Sequence, residues 1–170
     1  TISQDIFREY WIGHSLSHPN LVSSHSLSCD GDDKAWVMQM EYVPFPLLDL
    51  LDHDIWLERR WSLEATTCFF RQLVEAVAYM HSNGLAHRDL KVENIMVTDD
   101  GVVKLIDFGS ATPSRDISVS DTICPANNWV GTPITMAPEA HYERFYDMEA
   151  ADVWSLGIIF VRLYLGIHPW

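Results

Sequence analysis

Eight consecutive positions hold an unusual density of reactive side chains: His87-Arg88-Asp89-Leu90-Lys91-Val92-Glu93-Asn94. Eighteen positions after Asp89 comes Asp107-Phe108-Gly109, and later Ala137-Pro138-Glu139. Phosphoryl transfer needs residues of these types. A carboxylate must orient the attacking hydroxyl and accept its proton, and a lysine must neutralise charge that develops on the transferred phosphate. An amide oxygen and a second carboxylate must hold Mg²⁺ against the phosphates, because Mg²⁺ takes hard oxygen ligands.

Elements on both sides must position these groups. Residues Ser3 to Leu16 read as a helix with Asp5, Arg8 and Glu9 on a charged face and Ile6, Tyr10 and Leu16 on an apolar one, stopped by Pro19. Leu21 to Ser28 and Ala35 to Tyr42 are strand-like runs, and Asp30-Gly31-Asp32-Asp33 between them signals an antiparallel hairpin. Val43-Pro44-Phe45-Pro46 breaks the pattern and reads as a hinge. A long helix is predicted over Leu63 to Ser82, with Leu63, Phe70, Leu73, Val74, Val77 and Met80 at helical spacing and Asn83-Gly84 at its end. Ile95 to Val97 and Val102 to Ile106 read as short strands around the Asp99-Asp100-Gly101 turn. Residues 110–136 read as loop. A last helix, about Ala150 to Leu165, is apolar nearly all round and is expected to be buried on all sides.

The chain has 170 residues, 48% of them hydrophobic and 21% charged, which fits one globular domain. Its net charge of −13, from 24 acids against 11 bases, argues against nucleic acid and anionic membrane surfaces as partners. Cys29, Cys68 and Cys124 are odd in number and irregularly spaced, without a CxxC, so neither a disulfide framework nor a zinc knuckle is indicated, and reduced thiols suit the cytoplasm. The most apolar stretch, Val153 to Leu165, is too short to span a bilayer and contains Arg162. His14 and His18 stand four apart, but no third metal ligand accompanies them. No initiator Met and no signal-peptide pattern is present, and the chain reads as a fragment.

With its H-R-D-L-x-x-x-N loop, D-F-G and A-P-E in this order, the chain resembles the protein kinase superfamily. The resemblance implies an α+β two-lobe fold: a partial N-lobe over 1–42, a hinge over 43–46 and a mostly helical C-lobe over 47–170, with the N-lobe incomplete and the C-lobe ending before its last helices. It implies ATP and Mg²⁺ as cofactors and a protein as substrate. Asp89 then resembles the catalytic base, Lys91 the γ-phosphate contact, and Asn94 and Asp107 the Mg²⁺ ligands. Phe108, beside Gly109, reports the active or inactive state by its packing. Lys91, two after the base, and Thr132 of the substrate-binding loop favour the Ser/Thr class.

The resemblance extends outward. Glu9, nine residues before His18-Pro19-Asn20, looks like the helix glutamate that pairs with the nucleotide-binding lysine. Met40 falls at the gatekeeper position, the backbone of Glu41 and Val43 would bond adenine, and Met96 would floor its pocket. Asp152 would bond the backbone near His87 and Arg88. Glu93 could receive a basic residue of the substrate, although Arg162 stands where basophilic kinases often carry a Glu. Glu139 normally pairs with an Arg that the chain lacks. Glu9-Tyr10-Trp11-Ile12-Gly13 and the acidic-aromatic spacing before Asp152 are similar to the fungal halotolerance and nitrogen-permease-reactivator kinases, which regulate plasma-membrane transporters.

The chain departs from the full kinase pattern as well. No Gly-rich loop and no V-A-I-K-like Lys is present, so the fragment alone is expected to bind ATP poorly and to transfer little phosphate. Val92 replaces a common Pro, and Thr135 a common Tyr. Gly13 stands where an apolar side chain usually stacks on Phe108, which predicts a gap. Arg88 before the base predicts control by a phosphate on the segment from Asp107 to Glu139, with Ser114, Ser118, Ser120 and Thr122 as mobile candidates. Three readings remain: a Ser/Thr protein kinase, a pseudokinase or scaffold that uses the same fold for binding, and a small-molecule kinase. The segment around Thr132 and Glu139, which shapes a peptide groove, argues against the third. The oligomeric state is open.

Overall fold

A computed structural model describes residues 2–31, 35–56, 60–116, 122–123, 130–143 and 145–170. Asp32, Asp33, Ser118, Ser120, Cys124 and Trp129 lie outside the described residues, as does the side chain of Thr122.

Helix α1 (Ile2–Ser15) is followed by strands β1 (Ser24–Cys29) and β2 (Trp36–Met40), paired antiparallel as the sequence predicts. Between α1 and β1 the chain makes the His18-Pro19-Asn20 turn, in which the Asn20 N–H donates to His18 Nδ1 at 3.1 Å. The buried Asn20 amide donates on to the Val103 carbonyl and to Gln72 Oε1. Leu21 is not part of β1. It forms a parallel bridge to Leu105, with Val22 N–H on the Leu105 carbonyl and Leu105 N–H on the Asn20 carbonyl. This stitch ties the first 40 residues to the rest of the chain.

The expected hinge is partly a strand. Phe45–Pro46 (β3) pairs with β5 (Ile95–Val97), which pairs with β6 (Val103–Leu105). Helix α2 (Leu47–Trp56) follows β3 directly and escaped the sequence reading. Its Leu47 and Leu51 are buried four apart on one face, but they stand in a run with Leu48 and Leu50 that shows no clean period.

Helix α3 (Leu63–Ser82) starts where the Ser62 hydroxyl accepts the Ala65 N–H, an N-cap. It buries Thr66, Leu73, Ala76, Val77 and Met80, at helical spacing. Leu63 and Val74, expected on that face, fall beside it and are 55% and 37% exposed. Strand β4 (Leu85–Ala86) pairs with β7 (Thr112–Pro113), so the stretch expected as loop is anchored at its start; β8 (Arg115–Asp116) pairs with β9 (Thr122–Ile123).

After the short helix α4 (Pro138–Tyr142), α5 runs over Met148–Leu165, capped by Asp147 at its start and by Gly166, in the left-handed conformation, at its end. It is not buried on all sides. One face packs against α3 with Ile159 and Leu163, while Val153 is 60% exposed and Trp154 stacks on Trp170 at a groove of about 520 Å³. A helix covered on one side keeps its other face in contact with solvent however apolar it is.

The main core joins Leu21, Leu47, Leu73, Val77, Met80, Leu90, Ile95, Leu105, Phe108 and Ile159. No described helix is long and apolar enough to cross a membrane.

Gly13 corrects one expectation. There is no gap beside it: a Cβ there would lie 2.5 Å from Ser24 Oγ, because α1 presses directly on β1. The glycine permits the contact.

Candidate active site

The catalytic loop leaves β4 at His87 and is held by one buried carboxylate. Asp152 on α5 accepts the His87 and Arg88 backbone N–H groups, each at 2.8 Å, and His81 Nε2 lies 2.9 Å from the same carboxylate. His87 is fully buried, and burial holds its imidazole pKa down despite nearby carboxylates. The neutral ring takes a definite tautomer. Its Nδ1 accepts the Asp89 N–H at 3.3 Å, so Nε2 carries the proton toward the Ile106 carbonyl, also at 3.3 Å. Arg88 stands at φ 71 and Asp107 at φ 63, left-handed conformations that cost a side-chain-bearing residue energy and here sit on either side of the reacting groups.

Asp89 is enclosed by donors. Thr132 Oγ1 donates to Asp89 Oδ1 at 2.7 Å, Lys91 Nζ lies 2.9 Å from Asp89 Oδ2, and Lys91 also donates to Thr132 Oγ1 at 2.9 Å. Burial works to raise the Asp89 pKa, but the hydrogen bonds from Lys91 and Thr132 outweigh it and hold the carboxyl below its ordinary value. Thr132 can reach Asp89 because Gly131, at φ 119, passes so close to the Arg88 carbonyl that a Cβ would come within 2.7 Å of it.

The strand register brings the two candidate metal ligands together. Ile95 faces Leu105 across β5–β6, and Ile106 N–H donates to the Asn94 carbonyl at 3.0 Å, so Asn94 ends up beside the residue that precedes Asp107. The Asn94 amide nitrogen donates to the Asp89 carbonyl at 2.9 Å and to Asp89 Oδ2 at 3.4 Å. Asn94 is buried and Asp107 is exposed. An amide oxygen and a carboxylate form a hard donor set that fits Mg²⁺ when phosphate oxygens complete the shell. Among the described residues no three His, Cys, Asp or Glu form a metal-sized cluster. His14 and His18 have other partners: the Ser24 carbonyl and the Tyr79 ring. Phe108 is fully buried, edge-on to His87 at 6.0 Å between centroids, and the Gly109 N–H donates to Asp107 Oδ1 at 3.1 Å.

The remaining expected residues scatter around this centre. Glu9, on α1, is half-buried; burial and then the Asp107 charge raise its pKa. Met40 and Met96 are half-buried and Val43 is buried. The Glu41 N–H is taken by the Ser23 carbonyl at 2.8 Å, which leaves only its carbonyl for a nucleotide, and its carboxylate pairs with Lys104 at 2.7 Å. Glu93 is exposed on the 3₁₀ turn Val92–Asn94. Glu139 is half-exposed on α4 at the edge of the Trp154 groove, and its carbonyl accepts the Glu143 N–H at 2.8 Å. Arg162 is occupied elsewhere, with Asp52 of α2 at 3.0 Å and the Gly166 carbonyl at the end of its own helix.

Three contacts were invisible in the sequence. Arg8, one position before Glu9, donates to the Gly109 carbonyl at 2.9 Å. Ser155 Oγ donates to the Thr135 carbonyl at 2.8 Å. Ser114, expected to be a mobile hydroxyl, is 2% exposed and donates to Glu149 Oε1 at 2.6 Å, so a phosphate there would have no room. Only the spacing of Glu149, Asp152 and Ser155 at every third position was open to sequence inspection.

Known proteins show which family the chain falls in. The protein kinase domain family matches residues 1–170. The chain is 39% identical over 168 residues to the probable serine/threonine-protein kinase RTK1 of Saccharomyces cerevisiae, which covers 99% of this chain and 26% of that protein. It is 36% identical over 165 residues to the nitrogen permease reactivator protein of the same yeast (97% and 20%) and 32% identical over 173 residues to the serine/threonine-protein kinase HAL4/SAT4 (99% and 27%). The chain thus spans about a quarter of the length of these relatives. With the family signature running from end to end and fungal serine/threonine kinases among its similar proteins, the chain belongs to the protein kinase domain family.

Proposed function

We propose that the protein carrying this chain transfers the γ-phosphate of ATP to a serine or threonine hydroxyl of a protein substrate. The observation that carries this reading is the triad of contacts among Asp89, Thr132 and Lys91. Asp89 presents an ionised carboxylate that a hydroxyl can approach and to which it can lose its proton. Lys91 stands beside that carboxylate, where it can meet charge developing on the transferred phosphoryl group. Thr132, joined to both, links the base to the segment that would lay a peptide across it, which favours the Ser/Thr class and a protein substrate over a small molecule. Asn94 and Asp107 would hold Mg²⁺, which when bound neutralises the phosphate charges.

Adenine would sit between Met40 and Met96, donate a hydrogen bond to the Glu41 carbonyl and bond to the Val43 backbone. Glu9 would pair with a lysine. Glu93 would meet a basic residue of the substrate. The reaction consumes ATP, and Cys29 and Cys68 are free thiols, which together favour the cytoplasm. A pure scaffold would have no chemical need of an ionised, donor-ringed Asp89.

The test is Asp89→Asn in the full-length protein. Phosphate transfer to protein should fall by at least about a hundredfold, the scale of a lost general base, while ATP affinity stays within about twofold. Transfer within threefold of wild type would overturn the proposal, and a wild type that binds ATP without any turnover would favour the scaffold.

A further inference from the structure

Helix α5 carries three polar side chains at every third position on one buried face: Glu149, Asp152 and Ser155. Each holds a different piece of the site. Asp152 takes the His87 and Arg88 N–H groups of the catalytic loop. Ser155 takes the Thr135 carbonyl, at the end of the segment that carries Thr132. Glu149 takes the beginning of that segment. Its Oε1 accepts from Ser114 Oγ at 2.6 Å and Arg115 Nε at 2.8 Å, and its Oε2 from Arg115 Nη2 at 2.5 Å.

The Arg115 contact is a two-on-two fork, the geometry in which arginine and carboxylate bind with most directional preference. The Glu149 end of the contact is buried with Ser114, while the Arg115 side chain is 38% exposed and reaches water on its other side. Burial works against the Glu149 charge, yet the bonds from Arg115 and Ser114 leave its pKa lowered. The Ser114 N–H donates to the Gly84 carbonyl at 2.8 Å and prolongs the β4–β7 pairing, whose β4 strand runs straight into His87.

We propose that Glu149 is a positioning residue for phosphoryl transfer: through Arg115 and Ser114 it fixes the start of the Thr132-bearing segment to the same helix face that fixes the catalytic loop and the segment's end. The inference rests on the function proposed above. At this anchor the chain's own carboxylate supplies the anion that pairs with the segment's arginine, so ordering here requires no added phosphate.

The experiment compares Glu149→Gln, Arg115→Lys and the double variant in the full-length protein. Each single variant should lower kcat for protein phosphorylation about tenfold, leave the KM for ATP within twofold, and speed tryptic cleavage after residue 115. The double variant should be no worse than the singles, since both remove one interaction. Wild-type kcat with wild-type protection in either folded single variant overturns the proposal, and so does a double loss near a hundredfold, the product of independent effects. Should Glu149→Gln fail to fold, Arg115→Lys alone decides by the same readings. If the wild type transfers no phosphate, the function reading fails, and equal cleavage in wild type and Arg115→Lys overturns the anchor separately.

Discussion

Thr132 Oγ1 donates a 2.7 Å hydrogen bond to Asp89 Oδ1, across 43 positions of sequence. This contact registers the proposed base with the segment proposed to present its substrate. Lys91 bonds to both.

Replacing Thr132 by Ala should therefore lower kcat by about ten- to a hundredfold, within the range for a disturbed general base, and Thr132→Ser should recover most of it. The pH profile gives an independent reading. Asp89 has its pKa held below the ordinary value, so it serves as base down to acid pH and is lost only as pH falls through the depressed value. Removing the Thr132 donor lifts that pKa, so the acid limb of kcat/KM should move to higher pH. An unmoved limb would show that Thr132 does not tune the carboxyl.

Asp107→Asn removes the charged member of the Asn94–Asp107 oxygen pair. Turnover should fall by about a hundredfold or more, and the Mg²⁺ concentration for half-maximal rate should rise, because a neutral amide oxygen holds a hard cation less well. A titration of rate against Mg²⁺ in the full-length protein checks this. An unchanged Mg²⁺ dependence would remove Asp107 from the ligand set.

Asp152 carries structure as well as chemistry. Asp152→Ala leaves the buried His87 and Arg88 N–H groups without their acceptor and His81 without its carboxylate. The cost should be about 3–5 kcal/mol, the range for breaking a buried charged network by removing one partner. Urea unfolding of the folded protein reads it directly, and a loss under 1 kcal/mol would contradict the burial argument.

Gly13→Ala separates two forces of opposite sign. Helix propensity favours Ala over Gly by about 1 kcal/mol in a helix interior. The added Cβ, however, would meet Ser24 Oγ at 2.5 Å and Ser24 Cβ at 3.2 Å. Overpacking of this kind costs about 1–3 kcal/mol, so the variant should be less stable, and Ser24→Ala in the same chain should return part of the loss. A Gly13→Ala protein more stable than wild type would mean that α1 can lift off β1 freely.

Much of the site was legible because its reacting groups are close in sequence or carry distinctive types. His87 to Asn94 lie in one loop, and the turn residues Asp99-Asp100-Gly101 announce the β5–β6 hairpin that returns the chain to Asp107. The Leu63–Ser82 helix could be read from its period and its caps. Helix α2 could not, because its leucines stand in a cluster and only β3 and β5 decide which of them turn inward. Ser114 looked like a free hydroxyl for the same kind of reason: nothing local to a Ser in a Thr-Pro-Ser-Arg run says that a glutamate 35 positions away will cover it.

The order of amino acids alone fixes the chemistry available to this protein, since carboxylates, a lysine and an amide keep their reactivity wherever they are placed. It also determined the local elements, whose periods and caps act within a few residues. Which groups face one another was set by the packed fold. Arg8 meets the Gly109 carbonyl, Gly13 lies against Ser24, and one face of α5 gathers the catalytic loop and both ends of the Thr132 segment. Those relations depend on the packing of α1 on β1 and of α5 on α3, a balance of contacts summed over the whole core, and no window of sequence contains that sum.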